Sequence, residues 1–157
     1  MSSDSPKTAP RQVYFFSTCI VDLMAPQAGI DAIRLIESAG IEVNFPSGQS
    51  CCGQPAYSSG YADEARRVAQ AQLDLFPEPW PIVVPSGSCA AMMVHHWPLL
   101  FAADPALQAR AREVAGRVVE WSAFARTTLG IAAPARAPHS TPVKVAPIRP
   151  LAREWMA

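Results

Sequence analysis

Apolar and polar positions along this chain switch between two periods, and the switches mark out its elements. Gln12-Val-Tyr-Phe-Phe-Ser17 is a short aromatic and branched run that predicts a first β-strand. From Pro26 to Ala39 the period lengthens. Ile30, Ile33 and Ile36, with Gly29, Ala32 and Leu35, recur at helical spacing, and Gly40 supplies the stop. Ile41 to Phe45 returns to strand character and ends at the turn residues Pro46-Ser-Gly48. A second helix is expected from Tyr61 to Phe76, with Tyr61, Ala65, Val68, Ala69, Leu73 and Phe76 on one face. Pro77, Pro79 and Pro81 end it, because proline cannot continue a helix.

Ile82-Val-Val84 is apolar on both faces, the mark of a buried parallel strand. A helix is expected to begin near Cys89, with Ser88 as its cap, and to stop before Pro98. A longer one is expected from Pro105 to Leu129, closed by Gly130. Beyond it, Ala132 to Pro142 is mostly Ala, Pro, Arg and Ser and reads as a linker. Val143-Lys-Val-Ala146 has the pattern of a further strand, and Pro147 to Ala157 has no assignable pattern. Three strands, each followed by a helix, predict an α/β fold: a parallel sheet with flanking helices in Rossmann-like βαβ units.

Composition narrows the field. Half of the 157 residues are hydrophobic, which suits one domain with an ordinary core. The formal net charge is zero, so nothing in the charge points to nucleic acid or anionic lipid as a partner. No apolar run is long enough for a membrane span. The polar start, residues 1–11, lacks the apolar core of a secretory signal and is expected to be a disordered tail. A cytoplasmic, thiol-reducing location is the resulting expectation.

In such a compartment the four cysteines, Cys19, Cys51, Cys52 and Cys89, read as metal-binding or redox groups rather than disulfide staples. Cys51 and Cys52 are also poor partners for each other. Neighbouring Cα atoms sit about 3.8 Å apart, below the roughly 4.4 Å minimum of a relaxed bridge. Cys19 follows the first predicted strand, Cys51 and Cys52 the second, and Cys89 the third. The C-terminal ends of parallel strands share one edge, and ligands of such folds sit in the crevice outside it. With adjacent strands about 4.8 Å apart, the three loops are expected to bring all four thiols to one site. Such a donor set suits zinc, or iron with bridging sulfide. Zinc sites usually carry paired C-x₂₋₄-C ligands, which are absent here. The vicinal pair suits a larger cluster, whose separate irons each take one thiolate. Gly48, Gly53 and Gly87 would let backbone amides approach. The plain alternative is that each cysteine is a small buried hydrophobe.

The matching stretches are Phe15-Phe-Ser-Thr-Cys19, Val43-Asn-Phe-Pro46, Cys51-Cys-Gly-Gln-Pro55, Ser59-Gly-Tyr61 and Ser86-Gly-Ser-Cys89. As a set they resemble the cysteine-rich CCG domain family, which includes a component of heterodisulfide reductase, and within it the lactate-utilization and glycolate-oxidase iron–sulfur proteins. The resemblance covers residues 12–131. It implies an iron–sulfur oxidoreductase subunit that relays electrons in the oxidation of L-lactate to pyruvate, working with other iron–sulfur subunits of a lactate-utilization system. It implies a 4Fe-4S cluster held by Cys19, Cys51, Cys52 and Cys89. Two departures stand out. Met92 replaces the last cysteine of the family's CxxC, in Cys89-Ala-Ala-Met92. The family also carries a second motif, whose start residues 132–157 resemble without its cysteine, so a truncated copy is one expectation. A zinc-binding or structural interaction module and an inactive copy are the alternatives.

Other residues carry less. His95 and His96 are expected on a helix surface, Met92 in the core rather than as a thioether ligand, and Asp22 as a solvated loop carboxylate. Gln54, Tyr57 and Tyr61 are candidates to line the pocket as hydrogen-bond donors. No phosphate loop, Ser-His-Asp set or basic-aromatic stripe is present.

Overall fold

The structure, a computed structural model, describes residues 9–132. The expected strand at Val143–Ala146, the last eleven residues, nearly all of the linker and most of the tail lie outside the described residues. Four short strands form one parallel sheet: β1 (Gln12–Phe15), β2 (Glu42–Asn44), β3 (Ile82–Val84) and β4 (Val118–Glu120), in the order β2-β1-β3-β4. Val13 sits opposite Val43, Phe15 opposite Val83, and Val83 opposite Val119. Alternation along β1 sends side chains to two cores. Tyr14 and Phe16 face one with Ile82 and Val84; Val13 and Phe15 face the other with Val83.

Helices cover both faces. After β1 come α1 (Cys19–Met24) and α2 (Pro26–Ser38), and α2 packs Ala32 and Ile36 on the Val13 face. The helices α3 (Gln54–Ser58) and α4 (Ala62–Leu73) follow β2, and α4 packs Ala65, Ala69 and Leu73 on the Tyr14 face. After β3 the chain forms α5 (Gly87–Ala91), a π-helical turn (Met92–His96) and α6 (Trp97–Leu100), all on that second face, then α7 (Pro105–Ala115). Finally α8 (Trp121–Thr127) returns Phe124 to the first face. The sheet is therefore parallel and covered on both sides, the α/β architecture expected of it. The chain leaves β1 toward one face and β3 toward the other, although these strands are neighbours. A parallel sheet opens a crevice at such a switch point.

Several expectations change. The helix expected over Pro105–Leu129 is two helices with β4 between them. Gly116 closes α7, and the Arg117 guanidinium donates to the carbonyls of Phe76, Glu78 and Trp80, which anchors Val118-Val-Glu120 beside β3. The helix at Cys89 starts two residues earlier, at Gly87, with Ser86 rather than Ser88 at its cap position. It also runs past Pro98. The Trp97 N–H reaches back five residues to the Met92 carbonyl, and this wider turn puts Pro98 in the first turn of α6, where a missing N–H is tolerated. Lastly, Ile30 and Leu35 share helical spacing with the core face of α2, yet both are exposed. Only Gly29, Ala32 and Ile36 of that helix are buried.

Candidate metal centre

Each cysteine hangs on a segment that follows the C-terminal end of a strand. Cys19 opens α1 after β1, Cys51 and Cys52 sit in the loop between β2 and α3, and Cys89 lies in α5 after β3. None is in a disulfide. The Sγ atoms of Cys19 and Cys51 lie 3.6 Å apart. Cys52 and Cys89, both buried in the Tyr14-side core, form a second pair. The charges of Cys51 and Cys89 both act on Cys19, so the two pairs lie within electrostatic reach of each other.

Backbone strain and buried amides hold this arrangement. Thr18, buried before Cys19, has a φ of 64°, the one positive φ outside glycine among the described residues. A β-branched residue is rarely found there. Its hydroxyl accepts from the Val21 N–H at 3.4 Å and also faces the Cys89 sulfur, so one side chain ties the first cysteine segment to the third. Gln49 clamps the second segment to β1. Its amide accepts from the Ser17 N–H at 3.0 Å and donates to the Phe15 carbonyl at 2.8 Å. Gln72, on the buried side of α4, accepts from the Ser50 N–H and donates to the Ser50 hydroxyl, both at 3.0 Å. The indole of Trp97 donates to the Cys52 carbonyl at 2.9 Å inside the core. Sequence reasoning missed Gln49, Gln72 and Trp97. Gln72 had left a signal, because it falls between Ala69 and Phe76 on the apolar side of its helix.

Gly53 follows the cysteine pair for a steric reason. Its φ is 87°, and a Cβ there would stand 3.1 Å from the Ala65 carbonyl oxygen. Its own N–H points at the Cys51 sulfur, 3.4 Å away. Gly53→Ala combines a left-handed backbone penalty of about 1–2 kcal/mol with a contact that α4 must relieve. A loss of about 2 kcal/mol is expected, measured by denaturant unfolding of the metal-free chain.

The thiols are electrostatically unequal. The Cys52 thiol beside it, and secondarily the hydroxyls of Ser86, Ser88 and Thr18, pull Cys89 from the ordinary thiol value of 9.0 down to about 6. Cys52 moves the opposite way, upward, because it holds the shared proton against Cys89 and is buried. Burial, then the contact with Cys51, raises Cys19. For the metal-free chain the sign is fixed. Cys89 binds its proton less tightly folded than unfolded, so its contribution to stability grows from pH 6 to pH 9 and is lost as pH falls through about 6. Above 9 the raised Cys52 works against folding. Ultraviolet thiolate absorbance is expected to show one thiolate emerging near pH 6, absent in Cys89→Ala.

The donor set is four sulfurs, ringed by N–H and O–H groups. Such donors favour thiolate and tune a bound iron–sulfur centre. Among the described residues no three His, Cys, Asp or Glu side chains converge closely enough to hold a single ion. Two thiol pairs fit a centre whose metal atoms each take their own sulfur. The other residues weighed from sequence fall as follows. Met92 is buried in the core, while Asp22 and Tyr61 are exposed. His95 is exposed, but His96 is partly buried and packs on Tyr57. Gln54 and Tyr57 line a cavity beside the thiols; Tyr61 is not among the residues that line it.

Residues 13–94 match the family model described as a cysteine-rich domain, CCG. The chain is similar to lactate utilization protein A of Macrococcus caseolyticus (strain JCSC5402), 44% identical over 120 residues, covering 76% of this chain and 49% of that protein. Lactate utilization protein A 2 of Bacillus cereus (strain 03BB102) and lactate utilization protein A 1 of Bacillus anthracis (strain CDC 684 / NRRL 3495) are each 39% identical over 119 residues, with the same coverage. The chain thus spans about half the length of the curated relatives it matches. No solved structure matches it with comparable significance.

Proposed function

The chain belongs to the cysteine-rich CCG domain family, and on that premise we propose that it is an iron–sulfur subunit that relays electrons in a lactate-utilization system. Cys19, Cys51, Cys52 and Cys89 would hold the cluster, of the 4Fe-4S type. Bound there, such a cluster supplies one-electron chemistry, and the chain's own share is to position and tune it. The observation that carries this reading is four disulfide-free thiols from three separate strand exits, with the Cys19 and Cys51 sulfurs 3.6 Å apart and Cys52 against Cys89. The relatives' name supports lactate utilization as the setting; within it we propose oxidation of L-lactate to pyruvate, with further iron–sulfur subunits as partners.

Two features support a relay. Cys19 lies at the surface end of the site, beside Ile20, Leu23 and Met24, which are 53%, 78% and 75% exposed. An apolar patch of this kind suits a docking face, and a partner seated on it would lie within a helical turn of Cys19. Among the described residues no helix is long and apolar enough to cross a membrane. Free thiols in this number suit a reducing, cytoplasmic compartment.

Anaerobic reconstitution with iron and sulfide tests the reading. Equal iron and acid-labile sulfide, brown colour and an EPR signal on reduction are expected. A colourless protein carrying one zinc per chain would overturn it, as would a folded chain that takes up no iron.

A further inference from the structure

Beside the thiols lies a cavity of about 300 Å³ between α3 and the α5–π-turn segment, lined by Gln54, Tyr57, Ser58, Ser88, Ala91 and His96 over a floor of Met92. From it we propose a second binding site on this chain, one that takes a planar, uncharged ring bearing carbonyl or hydroxyl groups, of the quinone type.

Four observations converge on it. First, no Arg, Lys, Asp or Glu lines the cavity. A carboxylate brought there would lose water without gaining a permanently charged cation, so an anionic hydroxy acid is a poor occupant. Secondly, the polar groups are neutral hydrogen-bonding ones: an amide, a phenol and two serine hydroxyls. Carbonyl and hydroxyl oxygens at the rim of a ring match them. Thirdly, Tyr57 and His96 form an aromatic wall, their centroids 4.6 Å apart and their planes tilted by 38°. Stacking against such a wall favours a flat π-system.

Finally, the π-helical turn sets His96 in place. Nδ1 of His96 is buried with no hydrogen-bond partner. An unpaired buried N–H is rarer and costlier than an unpaired acceptor, which puts the ring proton on Nε2. His96 itself lines the cavity, so its ring brings a hydrogen-bonding group to an occupant's edge. Single π turns inside α-helices concentrate at functional sites. No cysteine lines the cavity, but two residues that do also reach the thiols: the Gln54 N–H faces the Cys52 sulfur and the Ser88 hydroxyl faces Cys89. An occupant would lie one residue away from two of the four sulfurs.

Titration of the iron-loaded protein with 2,3-dimethyl-1,4-naphthoquinone tests the site. The ring positions open to thiol addition are blocked in this probe, so tryptophan fluorescence or calorimetry reads binding alone. Saturable one-to-one binding is expected. Ala91→Trp, at an exposed helical position, fills the cavity and should weaken binding at least about tenfold with an unchanged melting temperature and unchanged iron content. His96→Ala should weaken it as well, and His96→Gln less so. The inference is overturned if the quinone does not bind, if Ala91→Trp leaves its affinity unchanged, or if L-lactate displaces it competitively. The same titration on metal-free protein separates the two readings. Binding that persists in a chain that never takes up iron would sink the cluster and spare the cavity. An intact cluster with no quinone binding would do the reverse.

Discussion

Cys52→Ser is expected to leave the reconstituted protein colourless, with iron and acid-labile sulfide at least roughly tenfold below the parent's if the proposed cluster is held there. Groups that merely orient a ligand typically cost 10–100-fold in metal affinity, so the ligand itself should cost no less. Serine keeps the shape of the side chain but offers a hard oxygen where a soft sulfur is needed. Cys52 is the most telling of the four. It is 1% exposed, its carbonyl is fixed by Trp97, and its thiol shares a proton with Cys89. Met92→Leu is the control. That side chain stands where the family's final cysteine would, but it is 1% exposed among apolar neighbours. A volume-conserving swap there usually costs less than about 1.5 kcal/mol. Iron content should not change. If Met92→Leu removed the iron and Cys52→Ser did not, the ligand assignment would be wrong.

Trp97→Ala is expected to have the largest effect on stability, about 3–5 kcal/mol. Trp97 heads the fully buried side chains and packs in the Tyr14-side core. Its second role separates in Trp97→Phe. That variant keeps most of the apolar volume but leaves the Cys52 carbonyl without its buried donor, a cost of about 1–3 kcal/mol. Chemical denaturation measures both. Trp97→Phe should also loosen the iron, because the freed carbonyl belongs to a residue proposed as a ligand. A Phe variant as stable as the parent, with iron uptake unchanged, would show that the indole N–H fixes nothing.

The order of elements was legible wherever a periodic run was long or purely apolar. Ile82–Val84 was readable to the residue, because three consecutive branched side chains between prolines have few alternatives. The helix at Pro26–Ser38 was readable for its repeated isoleucines, though not which of them would face outward. β4 was hidden for a physical reason. It is three residues long, none fully buried, and it lies between two Ala- and Arg-rich segments that together look like one helix. Its pairing with β3 is tertiary, sealed by Arg117 reaching carbonyls 37 to 41 residues away.

The site divides in the same way. The thiols were visible because chemistry singles out cysteine. The side chains that hold them apart and together were not. Gln49 and Gln72 are ordinary polar residues until the fold buries their amides against the cysteine loop. The strain at Thr18 has no sequence signature at all, since nothing local announces a positive φ at threonine.

The short distance between Cys19 and Cys51 reaches beyond ligand geometry. At 3.6 Å the two sulfurs must close by only about 1.5 Å to reach covalent bonding distance. Air is therefore a competitor of iron. A chain handled without reductant would staple its first and second loops and become refractory to loading, while one treated with a thiol would recover. Mass spectrometry of aerated samples should find that crosslink.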